Sequence, residues 1–233
     1  LNELFDSISD KTKMVFINSP SNPTGWMLTE SEQEEITAYI RKKNCWLIAD
    51  EVYHQIVYDR EVSPSFLQHA KADDKLIVIN SSSKSFNMTG WRIGWLSHPK
   101  FLGEHIAKLV QISTTGVPEF LQEGFLSALI NYKSIVKDVK NGLKQSRDLV
   151  FERTKNWGKI YMPVTNAAFY SFFKVKDMNN SIEYAKYLIE KTQVGLAPGI
   201  AFGKSGEGHL RLCFASDLNY LEKILNRLEK ELS

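Results

Sequence analysis

The sequence is short of cysteine, with only Cys45 and Cys213 among its 233 residues. Two thiols in a chain of this size cannot form the disulfide framework of a small secreted domain, and they fit a reducing, cytoplasmic compartment. The sequence also lacks an apolar run of membrane-spanning length. Its mixed, acidic start lacks the pattern of a signal peptide. We therefore expect neither a disulfide scaffold nor a membrane segment.

An excess of charge of one sign is absent as well. The chain has 29 Lys and Arg against 27 Asp and Glu, a formal net charge of +2. No basic field therefore indicates nucleic acid or an anionic membrane as a partner. The histidines show no metal-ligand spacing, so we expect no metal site. The glycine-rich stretch Gly203–Gly208 has the wrong spacing for a Walker phosphate loop.

What the sequence does contain is an alternation of apolar strands and amphipathic helices. Short runs of β-branched and aromatic residues predict four strands in the first hundred residues, which are Met14–Asn18, Trp46–Asp50, Leu76–Asn80 and Arg92–Leu96. The first is apolar almost throughout, and we expect it to be buried on both faces. Thr29, with Glu32 three residues later, predicts a capped helix start between the first two strands. Strands that alternate with helices indicate an α/β layered sheet.

The second half of the chain predicts a long helical stretch over residues 101–157, followed by a smaller α+β unit. Phe169–Val175 and Leu210–Phe214 are predicted strands, and Asn180 is the predicted N-cap of a helix between them. The apolar residues of Leu210–Phe214 alternate with Arg211, which places the arginine on the opposite face of the strand.

Polar side chains follow three of the predicted strands at their carboxyl ends. Asn22 follows the first strand, Asp50 ends the second, and Lys84 comes directly after the third. Because the loops at the carboxyl ends of such strands converge on one crevice, we expect these groups to serve one site. A lysine amine forms a Schiff base only after it loses its proton, which a low-dielectric wall or a nearby cation favours.

Four segments carry a resemblance to a known family. They are Ser81-Ser-Ser-Lys84-Ser-Phe-Asn-Met-Thr-Gly90-Trp-Arg92-Ile-Gly94, Asn22-Pro-Thr-Gly25, Asp50-Glu-Val-Tyr53 and Gly208-His-Leu-Arg211. In their sequence and in their order along the chain, these segments resemble the class I and II aminotransferases, pyridoxal-phosphate (PLP) enzymes of fold type I. The one mild departure is Ala167, where the family often has glycine before Ala-Phe-Tyr.

The resemblance implies part of a large PLP-binding domain, a mostly parallel sheet with helices on both faces, and a smaller α+β C-terminal domain. We place these domains at residues 1–145 and 146–233. The family's enzymes carry a substantial portion before the point where this sequence begins, and this sequence begins on Leu1 rather than methionine. We therefore expect that an N-terminal portion is absent from it.

The resemblance also implies roles around the cofactor ring. Lys84 would bind PLP as an imine and act as the base that moves a proton between the substrate Cα and the cofactor. Asp50 would pair with the pyridine nitrogen, and Asn22 and Tyr53 would donate hydrogen bonds to the phenolic oxygen. Taken alone, Asn22-Pro-Thr-Gly25 also fits a plain proline turn, and Asp50 fits the N-cap of a helix starting near Glu51.

The remaining roles concern anions. Ser81, Ser83 and Arg92 would hold the cofactor phosphate, and Arg211 with Asn22 would hold the α-carboxylate of the substrate. A guanidinium fork suits both anions, since it offers charge and paired hydrogen bonds at once. By itself, Arg211 also fits a surface arginine on an edge strand.

The implied function is amino-group transfer between an α-amino acid and a 2-oxo acid by a homodimer. Two alternatives stay open at this point. One is C–S β-elimination on the same scaffold, because the cofactor supplies most of the chemistry in either reaction. The other is a truncated, inactive protein that acts only through dimerisation.

Overall fold

The computed structural model describes residues 1–233, which form two compact units. Unit 1 comprises residues 1–20 and 27–139, and unit 2 comprises residues 21–26 and 140–233. The chain therefore passes from one unit to the other inside the helix Tyr132–Thr154. The domain boundary predicted from the sequence, between residues 145 and 146, lies in the same helix and stays a prediction.

Unit 1 is built on a four-stranded sheet. Its strands are β1 (Met14–Asn18), β2 (Trp46–Asp50), β3 (Leu76–Ser81) and β4 (Gly94–Ser97). Its helices are α1 (Asn2–Ser7), α2 (Glu30–Lys43), the one-turn α3 (Ser82–Ser85), α4 (Gly103–Thr114), α5 (Glu119–Ile130) and the start of α6 (Tyr132–Thr154). The strands lie in chain order, with β1, β2 and β3 parallel and β4 antiparallel to β3. The predicted α/β architecture and mostly parallel sheet are confirmed.

The core of unit 1 lies on one face of this sheet. Its buried apolar residues include Val15, Leu47 and Val78 from the strands and Ile36 and Ile40 from α2. These positions alternate along the strands and recur every four residues along the helix, so each element presents one apolar face to the other.

The opposite face of β1 differs from the sequence prediction. Met14 and Phe16 remain 53% and 59% exposed, so β1 is buried on one face only. The expectation of burial on both faces is wrong for this strand, because no element of unit 1 covers Met14 and Phe16. An apolar run of five residues does not by itself say how many faces are covered.

The fourth strand also begins later than predicted. Arg92 has φ 56° and ψ 41°, in the left-handed region, and follows the one-turn 3₁₀ helix Thr89–Trp91. Left-handed dihedrals cannot continue an extended strand, so β4 starts only at Gly94. Arg92 therefore lies in the turn before the strand rather than on it.

Unit 2 contains a second four-stranded sheet, which is antiparallel throughout. Its strands are β5 (Ile160–Tyr161), β6 (Tyr170–Val175), β7 (Ala197–Pro198) and β8 (His209–Cys213), in the order β5-β6-β8-β7. Its helices are the rest of α6, α7 (Ser181–Thr192) and α8 (Leu218–Leu232). Asn180 caps α7 by accepting a hydrogen bond from the Glu183 N–H, as predicted. Leu210, Leu212 and Phe214 are buried while Arg211 is half-buried on the other face, which confirms the predicted alternation.

None of the helices is long and apolar enough to cross a membrane.

The predicted capping box of α2 is present. The Thr29 side chain accepts the Glu32 N–H, and the Glu32 carboxylate accepts the Thr29 N–H at 2.7 Å. We expect Thr29→Ala to lower the free energy of unfolding by about 1 kcal/mol, the usual cost of losing an N-cap. Thr29→Ser keeps the hydroxyl and serves as the control in urea unfolding. An equal loss of unfolding free energy in Thr29→Ala and Thr29→Ser would contradict the role of the Thr29 hydroxyl as the N-cap.

The stabilisation that the Thr29–Glu32 capping box gives to the folded state is expected to depend on pH. The Thr29 N–H and hydroxyl bonds hold the pKa of Glu32 below its ordinary value. A carboxyl group with a lowered pKa in the folded state stabilises above its unfolded pKa, and that contribution is lost as pH falls through the folded pKa. The difference between wild type and Thr29→Ala should therefore narrow in acid, as measured by urea unfolding at a series of pH values.

Candidate functional site

The lysine segment lies at the carboxyl end of β3. Ser81 ends the strand and caps α3, with its Oγ accepting the Ser83 N–H at 3.0 Å and donating to the Ile93 carbonyl at 3.1 Å. Ser82 Oγ donates to the same carbonyl at 3.1 Å. These bonds fix a single tight turn immediately before Lys84, which is half-buried. The lysine is thus presented from a rigid backbone rather than from a loose loop of serines.

Asp50 and Lys84 lie within electrostatic reach of each other. Burial raises the pKa of Asp50, while the N–H of Val52, at 3.2 Å from Oδ1, and the charge of Lys84 act to lower it. Asp50 ends β2 and Lys84 follows β3, and these strands are parallel neighbours. The structure therefore brings these two predicted residues together at one edge of the sheet.

The segment after Asp50 is a turn and not a helix. No helix begins until the short 3₁₀ helix Phe66–His69, so the N-cap interpretation of Asp50 is excluded. The Tyr53 carbonyl accepts the Ile56 N–H at 2.8 Å inside this turn. Tyr53 is buried, at 3% exposure. A phenol held this way lies on the same carboxyl edge as Asp50.

The third phosphate candidate is placed differently from the two serines. Arg92 is exposed, and its Nη1 donates to the Thr89 carbonyl at 2.9 Å. Its chain neighbour Ile93 supplies the carbonyl that Ser81 and Ser82 contact. Arg92 is thus joined to the serine turn through the backbone, and its guanidinium is turned toward Thr89.

In unit 2, Arg211 is held by an amide and two aromatic rings. Its Nη1 donates to Asn22 Oδ1 at 2.7 Å. Its guanidinium carbon lies 4.3 Å from the ring centre of Tyr170 and 4.8 Å from that of Phe202, as in cation–π pairs. Arg211 Nε is buried and has no hydrogen-bond partner. A buried donor of this kind carries a cost that an anionic oxygen would remove.

The segment that carries Asn22 is fixed by a close backbone approach. A Cβ on Gly25, whose φ is +67°, would lie 2.3 Å from the Thr165 methyl carbon and 2.6 Å from the Ala167 carbonyl oxygen. Ala167 itself is fully buried. The alanine that departs from the family pattern is thus accommodated, and its carbonyl packs against the loop of Asn22.

The loop that carries Phe202 is fixed by a crossing of two glycines. A Cβ built on Gly199 would lie 1.9 Å from the Gly206 carbonyl oxygen, and one on Gly206 would lie 2.1 Å from that of Gly199. Any side chain at either position would collide with backbone. The crossing therefore holds the Phe202 ring beside Arg211.

Three residues of these clusters were not assigned from the sequence: Glu51, Tyr170 and Phe202. Tyr170 and Phe202 stand in stretches that the family comparison already covered, Ala168-Phe-Tyr170 and Ala197–Gly203. Only the folded strands show that both rings contact the same arginine. Glu51 directly follows Asp50 and is buried, at 1% exposure, and no pattern in the sequence marks a glutamate as buried.

No group of three or more His, Cys, Asp or Glu side chains is arranged to hold a metal ion. The side chains that the two units present are suited to acid–base and anion-binding chemistry. Unit 1 presents an amine beside a carboxylate, with a buried phenol in the adjoining turn. Unit 2 presents a guanidinium with an unused, buried N–H.

Comparisons with known proteins extend over nearly the whole chain. The model of the family described as aminotransferase class I and II matches residues 1–228. The aromatic-amino-acid aminotransferase 2 of Thermococcus litoralis is 32% identical over 237 residues, which cover 100% of this chain and 60% of the relative. The probable N-acetyl-LL-diaminopimelate aminotransferase of Bacillus subtilis is 35% identical, over 96% of this chain and 56% of the relative.

The solved structure of aspartate aminotransferase from Thermotoga maritima matches with a TM-score of 0.87 and 32% identity. The match covers 99% of this chain and 59% of that structure. The chain thus spans 56–60% of the length of the two curated relatives and the solved structure it matches.

Proposed function

Because this chain belongs to the class I and II aminotransferase family, we propose that it carries the PLP site of an enzyme that moves an amino group from an α-amino acid to a 2-oxo acid. Members of this family depend on PLP. The observation that carries the proposal is the position of Asp50 and Lys84 at the carboxyl ends of the parallel neighbours β2 and β3, within electrostatic reach of each other. Lys84 supplies the amine that would react with the aldehyde of the cofactor, and Asp50 supplies the carboxylate that would pair with its ring nitrogen.

The residues of unit 1 fit the cofactor. When bound, PLP supplies an electron sink for the negative charge left at the substrate Cα after a proton is removed. The ionised Asp50 carboxylate would keep the ring nitrogen protonated, and Tyr53 would donate to the phenolic oxygen. Ser83 and Ser81 would donate hydrogen bonds to the phosphate, with the Ser81 hydroxyl turning from the Ile93 carbonyl to do so, and Arg92 would be the cationic partner.

Lys84 has two proposed tasks. Its amine would hold the cofactor through the aldehyde carbon and, once freed by the incoming amino acid, would take the proton from the substrate Cα and return it to that same carbon of the cofactor. A base of this kind must lie within hydrogen-bond reach of the proton it moves. The serine turn supports this requirement, because it fixes the backbone from which the lysine projects.

In unit 2, Arg211 and Asn22 are proposed to bind the substrate. The buried Arg211 Nε supports a carboxylate ligand, since it would find its acceptor there. Asn22 Oδ1 is engaged by Arg211, which turns the donor end of the amide away from the guanidinium and suits its proposed second role at the phenolic oxygen. The relatives are named for aromatic, aspartate and diaminopimelate substrates, so the proposal covers α-amino acids as a class.

The test is an absorbance spectrum of the 233-residue chain with PLP, followed by borohydride reduction and peptide mapping. We expect a visible band and a reduced adduct on Lys84. The same measurement is made on a chimera extended at its N-terminus with the corresponding portion of the Thermotoga relative. No adduct on Lys84 in either protein would overturn the proposal. Release of ammonia and thiol, without exchange into a 2-oxo acid, would replace transfer with elimination.

We also propose a homodimer in the cytoplasm. The free thiols Cys45 and Cys213 suit a reducing compartment. Apolar side chains on α4 and α5, such as Ile112 at 83% exposure and Phe120 at 74%, support an interface between subunits. Light scattering of the chimera should give twice the mass of one chain, and a monomer across the micromolar range would contradict the dimer.

A further inference from the structure

Glu51 is a buried carboxylate without a cation. Its side chain is 1% exposed, and its pKa is raised by burial and by the neighbouring charge of Asp50. Its two oxygens are used separately, since Oε2 accepts from Ser65 Oγ at 2.7 Å and Oε1 accepts from the Phe66 N–H at 2.8 Å. Burying an ionisable group without a counter-charge is costly. The two hydrogen bonds offset part of that cost and tie Glu51 to a segment fourteen residues further along the chain.

The backbone of Glu51 joins three further elements. Its N–H donates to the Ile79 carbonyl on β3 at 3.0 Å. Its carbonyl accepts the His54 N–H at 2.9 Å and lies 3.1 Å from His54 Nδ1. The His54 carbonyl in turn accepts the Ser63 N–H at 2.9 Å. One residue thus connects the end of β2, the end of β3, the 51–56 turn and the 63–66 segment.

This connection bears directly on Asp50 and Tyr53. The backbone of Asp50 is already fixed by β1, since its carbonyl accepts the Ser19 N–H at 3.1 Å. Its side chain is fixed by the turn, because Oδ1 accepts the Val52 N–H at 3.2 Å. Tyr53 belongs to the same turn. The direction of both side chains therefore depends on how the turn is held, and the carboxylate of Glu51 is the side-chain anchor that ties the turn to Ser65 and Phe66.

We propose that Glu51 is a positioning residue that locks the 51–56 turn against Ser65 and Phe66 and thereby aims Asp50 and Tyr53 at the cofactor. The part of this inference that concerns the cofactor rests on the proposed function, whereas the lock itself does not. Glu51 does not touch the reacting groups and acts through Val52 and the turn. A neutral amide can replace it, because glutamine has one oxygen for the Phe66 N–H and one NH₂ for Ser65 Oγ.

The test compares four variants of the full chain by two readouts. Glu51→Ala removes both hydrogen bonds of the lock and Ser65→Ala removes one of them, whereas Glu51→Gln keeps both. Ser63→Ala is the matched control, because Ser63 Oγ donates only to the Pro64 carbonyl next to it. The first readout is hydrogen exchange of the peptide covering residues 51–56, and the second is the dissociation constant for PLP from the absorbance titration.

We expect faster exchange in the 51–56 peptide of Glu51→Ala and Ser65→Ala, with unchanged exchange in α2 and α8 as evidence that the rest of unit 1 and unit 2 are folded. We expect PLP binding about ten-fold weaker in Glu51→Ala, at the low end of the losses seen when groups that orient metal ligands are removed. In Glu51→Gln, the exchange rate of the 51–56 peptide and the dissociation constant for PLP should both lie within about two-fold of the wild-type values. If Glu51→Ala is unfolded throughout, the proposal is judged on Ser65→Ala, which leaves the carboxylate of Glu51 in place.

Two results would overturn the proposal. One is exchange and PLP affinity in Glu51→Ala and Ser65→Ala equal to wild type, and the other is an effect of Ser63→Ala as large as that of Ser65→Ala. Failure of the proposed function looks different. The wild-type chain and the chimera would then show no PLP band, while the exchange of the 51–56 peptide would still decide whether Glu51 locks the turn.

Discussion

Replacement of Lys84 by alanine is expected to abolish the borohydride-stable PLP adduct and to lower kcat about 10⁴-fold, the upper range for loss of a positioned base. Both losses would have one cause, because in the proposed function the same amine holds the cofactor and moves the proton. PLP should still bind to the variant through the phosphate and Asp50, but without the visible band of the wild type. Added methylamine is expected to recover part of the rate, since it can supply a free amine to the vacated space.

Lys75→Ala provides the matched control. Lys75 stands just before the amino end of β3, and its Nζ donates to the Asn44 carbonyl at 3.2 Å, whereas Lys84 follows the carboxyl end of the same strand. The change in charge and side-chain length is the same in both variants. An adduct that survives in Lys84→Ala, or one that disappears in Lys75→Ala, would show that the cofactor lysine has been assigned wrongly.

Replacement of Arg211 by alanine is expected to lower kcat/KM for amino acids about 10²-fold, with PLP affinity unchanged. A hydrogen bond to a charged group is worth about 1.5–3 kcal/mol, and each 1.4 kcal/mol is ten-fold in rate. Arg211→Lys keeps the charge but loses the planar fork, so we expect a smaller loss of about ten-fold. The loss should appear in KM more than in kcat, because the carboxylate itself neither forms nor breaks a bond in the reaction and is held alike before and during the proton transfer.

A substrate without the carboxylate separates this role from a general loss of structure. The amine that corresponds to the best amino acid should react equally slowly with wild type and with Arg211→Ala. Arg153→Ala is the control in the same unit, because Arg153 donates to Asn226 and Glu229 rather than to Asn22. Equal losses for the amine and the amino acid would mean that Arg211 supports the fold and not the substrate.

The sequence was a good guide where a local pattern has one physical meaning. The apolar runs Trp46–Asp50 and Leu76–Asn80 lie in strands, and Thr29 with Glu32 starts a helix, because burial and capping act over a few neighbouring residues. The alternation around Arg211 placed its side chain on the less buried face of β8 for the same reason. Asp50 and Lys84 meet because the carboxyl ends of parallel neighbours share an edge.

The sequence failed where the outcome depends on distant partners. Whether Phe16 is covered depends on which elements pack over β1, and a run of apolar letters does not contain that information. The left-handed backbone of Arg92 is set by the turn Thr89–Trp91, which the apolar run after it concealed. The rings of Tyr170 and Phe202 reach Arg211 from a neighbouring strand and a loop, so their contact with it is a property of the sheet.

The close approach of the Gly199 and Gly206 backbones affects how much conformational entropy the binding of a ligand would cost. A mobile loop loses conformational entropy when it closes on a ligand, and that loss weakens affinity. Here the two backbones interlock during folding, so the loop bearing Phe202 is ordered before any ligand arrives. The conformational entropy of this loop is therefore lost when unit 2 folds and not when a ligand binds. A carboxylate that reaches Arg211 would meet a binding site that is already ordered. Longer side chains at either glycine would therefore weaken folding and recognition together.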